Sequence, residues 1–414
     1  MLWLGTGLGV SALVGCSSTS TASPAASASG SASAAAASAA ASGNTALKAG
    51  TYDATFTSTQ SGPGGGGGSQ KLSGAYIVDG VKATIDGGTW ASTTADQNVF
   101  LVVNGGSLTL TNATITKSGD STNEDACNFY GLNSAILVVG KGSSATVKNC
   151  TVTTASEGSN ALFAAGSGSL TASTVTIATT KNSSRGLDAT YAGTITADTM
   201  TIDTKGAHCA CVATDRGNGT IKVTGTNKLT AAGEGSPCIY STGDISVSGA
   251  TGSAAISQTM VIEGQNSITL TGSTVTCGGG AGMMVYQSMS GDAASSDSTA
   301  TKATMTIGDS TVTASGSVPM IYVTNTTCVV NVTGSTLTHP AASPLLSLAE
   351  DKWGTGGSNG GHATVTFSGC ALTGAMTAGS TSSATVALTN STKVTGSTSG
   401  SVTVTKDATS SMAA

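Results

Sequence analysis

Asp188, Tyr240, Glu263, Tyr286 and Tyr322 are the residues of this sequence best suited to chemistry. Each follows an apolar residue (Leu187, Ile239, Ile262, Val285 and Ile321) in a stretch that reads as a β-strand. With the apolar residues set inward, period-two alternation turns the five successors outward. Phe163 holds the equivalent outward place one coil before Asp188, and Arg185, His208, Asp215 and Arg216 fall beside the strip. Tyrosine rings stack on the apolar faces of sugars, and Asp, Glu and Arg hydrogen-bond their hydroxyls, so the strip is expected to form a saccharide groove. The plainer alternative is a solvent face on which stacked Tyr and Asp/Arg pairs support the sheet. Only 9% of the chain is charged and 4% aromatic, which makes this clustering the strongest site signal present.

The elements that must position the strip announce themselves by repetition. LTLTNATIT at 108–116, ITLTGSTVT at 268–276, MTIGDSTVT at 305–313 and VNVTGSTLT at 330–338 all place an apolar residue before a small turn and a Thr-apolar-Thr step. Aligning the apolar residue gives a ladder of Leu110, Val147, Leu170, Ile195, Val223, Val247, Leu270, Ile307, Val332, Phe367 and Leu388. Most intervals are too short for a four-stranded propeller blade, and no 3.6-residue period occurs after the N-terminal segment. The pattern predicts an all-β fold, a right-handed parallel β-helix of roughly eleven or more coils. Gly and Asn at the corners supply the tight turns. Three long intervals mark insertions at 117–133, 287–303 and 349–362, and insertions on a solenoid often carry its function. Residues 48–407 thus read as one β-helix domain, with 48–107 holding an N-terminal cap and the first coils, and 408–414 a disordered tail.

Before that domain, MLWLGTGLGVSALVGC looks like a signal segment ending in the lipobox of bacterial lipoproteins, which assigns residues 1–16 to the signal and Cys16 to lipidation. Residues 17–47, rich in Ser and Ala, read as a flexible tether. Together they predict a lipid-anchored protein on the extracellular face of a bacterial membrane. Eight further cysteines permit disulfides there, although most read as small buried hydrophobes. Cys209 and Cys211 are expected on one face, with Cys238 in the opposite register. The net charge of −5, without a Lys/Arg cluster, argues against nucleic acid as a partner.

The β-helix pattern resembles the pectin-lyase-like superfamily. NSSRGLDATYAGTITAD at 182–198, ATDRGNG at 213–219 and GEGSPCIYSTGDI at 233–245 resemble uncharacterised adhesin-like surface lipoproteins of Gram-positive bacteria. The resemblance implies a solenoid that binds polysaccharide or another surface ligand. That superfamily also holds lyases and hydrolases, so catalysis by the same strip is the rival expectation. Paired carboxylates would hydrolyse glycosides, with Asp188, Asp215 and Glu263 as candidates. A lyase would need a base beside calcium, a role open to Arg185 or Arg216. The Asp-Asp and Gly-His-Gly motifs of polygalacturonases are absent and the Asp residues are isolated, so no catalytic residue is assigned.

Weaker signals remain. Asp120, Asn123 and Asp125 could hold calcium in the first insertion, though a solvated loop explains them better. Gly356-Gly357-Ser358-Asn359-Gly360 matches a nucleophile elbow without the strand-to-helix context. His208-Cys209-Ala210-Cys211 suggests a metal, but alternation separates His208 from the cysteines, so no metal site is assigned. Finally, seven coils place Thr at both outward positions (114/116, 151/153, 174/176, 199/201, 274/276, 311/313 and 336/338), an array that would suit a structural or ice-binding rod.

Overall fold

A computed structural model describes residues 47–57, 67–288 and 302–414. The signal segment, Cys16, all of the tether but its last residue and most of the second insertion lie outside the described residues. The chain winds as an all-β parallel solenoid of about 13 turns. One turn shows the plan: Gln97–Val103 belongs to a first wall, Ser107–Thr111 to a second and Thr114–Lys117 to a third. Among the described residues the first wall is a 14-stranded sheet, and the second and third form a bent 21-stranded sheet, except that Ala371–Thr373, Lys393–Thr395 and Ser411–Ala413 make a separate three-stranded sheet at the C-terminal end. Among the described residues every strand pair runs parallel except one: Gly50–Phe56 (β1) lies antiparallel on Gly68–Asp79 (β2) and ends the first wall. Near that end Tyr76, Trp90 and Phe100 meet with ring centroids 4.8–5.4 Å apart.

Alternation explains the walls. In SLTLT the two leucines are buried and the polar residues lie outside, and successive coils stack these apolar positions into one continuous core. The corner between the second and third walls needs a residue in the left-handed region. Coil after coil it is filled by Gly87, Asn112, Asn149, Gly225, Gly249, Gly272, Asp309, Gly334, Gly369 and Asn390. These are the residue types that tolerate positive φ. Thr174 (φ 55°) and Thr199 (φ 57°) break the rule. A left-handed L-residue costs about 1–2 kcal/mol, and glycine's extra chain entropy takes back about 0.5–1 kcal/mol. Thr174→Gly should therefore stabilise the protein by about 0.5–1 kcal/mol, read as a rise in the urea unfolding midpoint. A fall in the midpoint would refute this account of the corner.

The pairing corrects the expected ladder in two coils. Ala172, not Leu170, pairs with Val147, and Ala197 continues that line, while Leu170 and Ile195 stack on Ala145. A slip of two residues preserves the inward-outward pattern, so alternation alone cannot detect it. The Thr pairs shift accordingly. Thr176/Ala178 and Thr201/Asp203 align with Thr151/Thr153, leaving Thr174 and Thr199 at the corner. The complete Thr-X-Thr steps are then 114/116, 151/153, 274/276, 311/313 and 336/338. The C-terminus also differs from expectation. Instead of a disordered tail, Ser411–Ala413 forms a strand paired with Lys393–Thr395.

All eight described cysteines are buried and free. Cys211 and Cys238 share a register, because the residues that follow them, Val212 and Ile239, pair directly. Cys211 precedes its strand, which is why alternation misplaced it. Burial pushes the thiols of Cys127, Cys209, Cys211 and Cys328 up to about 12, so they stay protonated and pack as small apolar groups.

The first insertion contains a helix that the sequence pattern did not predict, Glu124–Tyr130 (α1). Seven residues are too few to display a 3.6 period. Asn123 caps it by accepting from the Ala126 N–H at 3.0 Å, and Gly131 (φ 74°) ends it. Asp120 accepts from the Glu157 N–H at 3.0 Å. Asp120 and Asn123, two of the three residues weighed as calcium ligands, thus bond the protein's own backbone.

Lys117, at the start of the insertion, is buried with its ammonium donating to the carbonyls of Thr94 (3.1 Å), Gly119 (2.9 Å) and Ser118. Burial lowers its pKa to about 8 from 10.5. Between those values the unfolded chain binds more protons than the folded one, so this group makes stability rise with pH across that window. The buried thiols act in the opposite sense over the same range, so the test is the difference: urea unfolding between pH 8 and pH 10 should give Lys117→Met a less positive slope of stability against pH than the native protein. An equal slope in both would show that Lys117 does not titrate there.

Candidate functional site

The strip divides into two columns. Phe163, Asp188, Ala213, Tyr240, Val261, Met284 and Tyr322 stack in one outward line through successive pairs. Glu263 and Tyr286 pair with each other in the adjacent line, two residues further along the strand. The expectation of a single line used Ile262 and Val285 as equivalents of Leu187, whereas the structure aligns Met260 and Met283 with it. Both columns point away from the solenoid interior, as expected. They do not form an open groove, however: Asp188 and Tyr286 are 0% exposed and Glu263 5%. Tyr240 and Tyr322 are half-buried.

Two insertions cover the first wall. From one edge, α1 and β1 bury a second hydrophobic cluster outside the solenoid, built from Phe56, Leu101, Phe129, Leu137 and Phe163. Four coil side chains hold α1 down. Ser183 Oγ donates to Glu124 Oε1 (2.6 Å), Thr190 Oγ1 to the Phe129 carbonyl (2.8 Å), Asn160 Nδ2 to the Cys127 carbonyl (3.1 Å) and Arg185 to Asn128 Oδ1 (2.9 Å). From the other edge, Trp353 packs on Tyr286 with centroids 4.6 Å apart. Asn359 Nδ2 fastens that loop through the carbonyls of Asp351 and Trp353, both at 2.6 Å. Tyr322 donates to Asp351 Oδ2 at 2.9 Å. Ser358, the nucleophile of the elbow-like motif, donates to the Thr355 carbonyl in a turn.

Beneath these covers the candidate catalytic groups bond one another. Arg185 donates to Asp188 at 3.2 Å and to Asp215 at 2.9 Å. Arg216 lays its guanidinium 3.6 Å from the centroid of Phe129. Burial, with the charge of Asp215 adding to it, pushes the Asp188 carboxyl well above its usual range against the pull of Arg185. Tyr240 and Tyr286 both donate to Glu263 Oε2, the latter at 2.6 Å. Burial also raises Glu263, opposed by those hydrogen bonds and one from Ser288.

A cleft of about 450 Å³ opens beside α1, lined by Ser121, Thr122, Glu124, Glu157, Gly158, Asn182, Ser183, Ala207 and His208. Asp188, Asp215 and Glu263 do not line it. Its floor is a stack of coil turns in which Gly158, Ser183, His208 and Gly235 all take positive φ. Gly158 must stay small, because a Cβ there would lie 2.5 Å from Cys127 Sγ. His208 replaces glycine at such a turn, donating its N–H to the Glu234 carbonyl at 2.8 Å. Burial and the nearby Arg185 hold its imidazole below the ordinary histidine range, hence neutral at pH 7. Of the lining side chains, His208 alone stood out in the sequence. Glu124, Glu157 and Ser183 come from a helix and two separate turns, so no local motif joins them. The only signal was the excess of acidic residues in the insertion.

No protein-family model matches the chain, and neither does any curated protein. The class established by the fold is the parallel β-solenoid.

Proposed function

We propose that the protein is a lipid-anchored, extracellular β-helix of adhesin-like type that binds polysaccharide or another surface glycan. The observation that carries the reading is the cleft beside α1, a concave site whose hydroxyl, amide, imidazole and carboxylate groups match sugar hydroxyls. The binding face proposed here is this cleft rather than the covered strip. Cys16 and the Ser/Ala-rich tether support anchoring, and parallel crossovers favour the right-handed winding of the pectin-lyase-like superfamily. The enzyme reading has less support, since its carboxylates are bonded within the protein under two covers.

Cys16→Ala should be released into the medium, and that released protein is the reagent for a glycan array with product analysis. Retention without cleavage supports the proposal. Release of unsaturated or reducing oligosaccharides would replace it with the enzyme reading, and retention of Cys16→Ala on the cell would remove the lipid anchor.

A further inference from the structure

We propose that the cleft selects glycans bearing a free, protonated amine over neutral N-acetylated glycans and over uronic acids; this inference rests on the glycan reading above. Glu124 and Glu157 supply two carboxylates to the lining, and no Lys or Arg lines it. Neither carboxylate forms an ion pair among the described residues. Further negative charge stands behind the rim. Asp96 accepts from Thr122 N at 2.8 Å and Ser121 Oγ at 3.0 Å, and Asp120 accepts from Glu157 N. Arg185 is engaged by Asp188 and Asp215, Lys117 by three carbonyls and Lys205 by Asp203, while Lys181, next to Asn182 in the chain, is exposed and does not line the cleft.

Burial and the nearby Arg185 disfavour a proton on His208, the remaining basic group of the lining. A uronate would therefore enter against two carboxylates with no lysine or arginine in the lining to receive it. An ammonium would form charge-assisted hydrogen bonds with them. The hydroxyls of Ser121, Thr122 and Ser183, which donate to Asp96 and Glu124, and the amide of Asn182 add polar lining that faces sugar hydroxyls, so the occupant that fits is an amino sugar within a glycan.

The test is retention of oligomers of glucosamine, N-acetylglucosamine and galacturonic acid on the Cys16→Ala protein, in mild acid where the glucosamine amines are charged. One charge-assisted hydrogen bond corresponds to at least about tenfold in affinity. Glucosamine oligomers should bind about tenfold or more tighter than the acetylated ones, galacturonate oligomers should not bind, and Glu157→Gln should erase the preference. Glu124→Gln should act in the same direction. Equal or tighter binding of the acetylated or galacturonate oligomers would overturn amine selection while leaving glycan binding in place. Retention of none of the three would remove the glycan reading and this inference with it.

Discussion

Arg185→Met is expected to destabilise the protein by about 3–5 kcal/mol at neutral pH, because it takes from two buried carboxylates the counter-charge that they share. Asp188 is wholly inaccessible and Asp215 nearly so, and Arg185 is the cation that both contact. The same side chain also bonds Asn128 of α1, so its loss should loosen the helix that bounds the cleft. The pH dependence follows from the sign of the shift. A carboxyl whose folded pKa is raised contributes most below its unfolded pKa, and that contribution is lost as pH rises through the folded value. Removing Arg185 raises the Asp188 carboxyl further, so the deficit should be largest at pH 7 and shrink towards pH 5.

Replacing all three charges at once, with Arg185→Met, Asp188→Asn and Asp215→Asn, should recover much of the loss. The measurement is urea unfolding of the three proteins at both pH values. A deficit below about 0.5 kcal/mol, the size of an ordinary surface substitution, would show that the carboxylates are not held as the structure has them.

Period-two alternation in stretches such as SLTLT was enough to read the solenoid, its coil length and the inward or outward direction of most strand side chains. Register was not legible, because sliding Ile262 or Leu170 by two residues leaves the pattern unchanged. Burial was not legible for a different reason. A strand residue facing away from one core is normally taken as facing water, and α1 is too short to betray an amphipathic face. The clue lay in composition: large apolar side chains such as Phe163 occupied outward positions, and Phe129, Tyr130 and Trp353 stood in the insertions. In a chain with only 4% aromatic residues, rings on both sides of a gap in the repeat predict a second core between them. The cleft had no comparable signal. It is assembled from Glu124 on a helix and from Glu157, Ser183 and His208 on three coil turns, and only the stacking of coils brings these together.

Phe163 is where that argument is most exposed to experiment. Its side chain points away from the solenoid interior, between Leu137 and Asp188 of the flanking coils, yet it is 0% exposed. A Cβ added to Gly131, just after α1, would come within 3.0 Å of its ring, which shows how closely the insertion closes over it. If outward meant solvent, Phe163→Ala would change stability by less than about 0.5 kcal/mol. Because the ring is at the centre of a packed cluster, the loss should instead reach about 3–5 kcal/mol, as for a phenylalanine deleted from a core. Thr171→Ala, on an exposed face of the second wall, serves as the control and should stay within about 0.5 kcal/mol. The same substitution of Phe163 should weaken glycan retention, since α1 carries Glu124 and depends on this ring for its seat. Unfolding midpoints that do not distinguish Phe163→Ala from Thr171→Ala would mean that the insertion does not pack on the wall. Both the second core and the cleft that it shapes would then have to be abandoned.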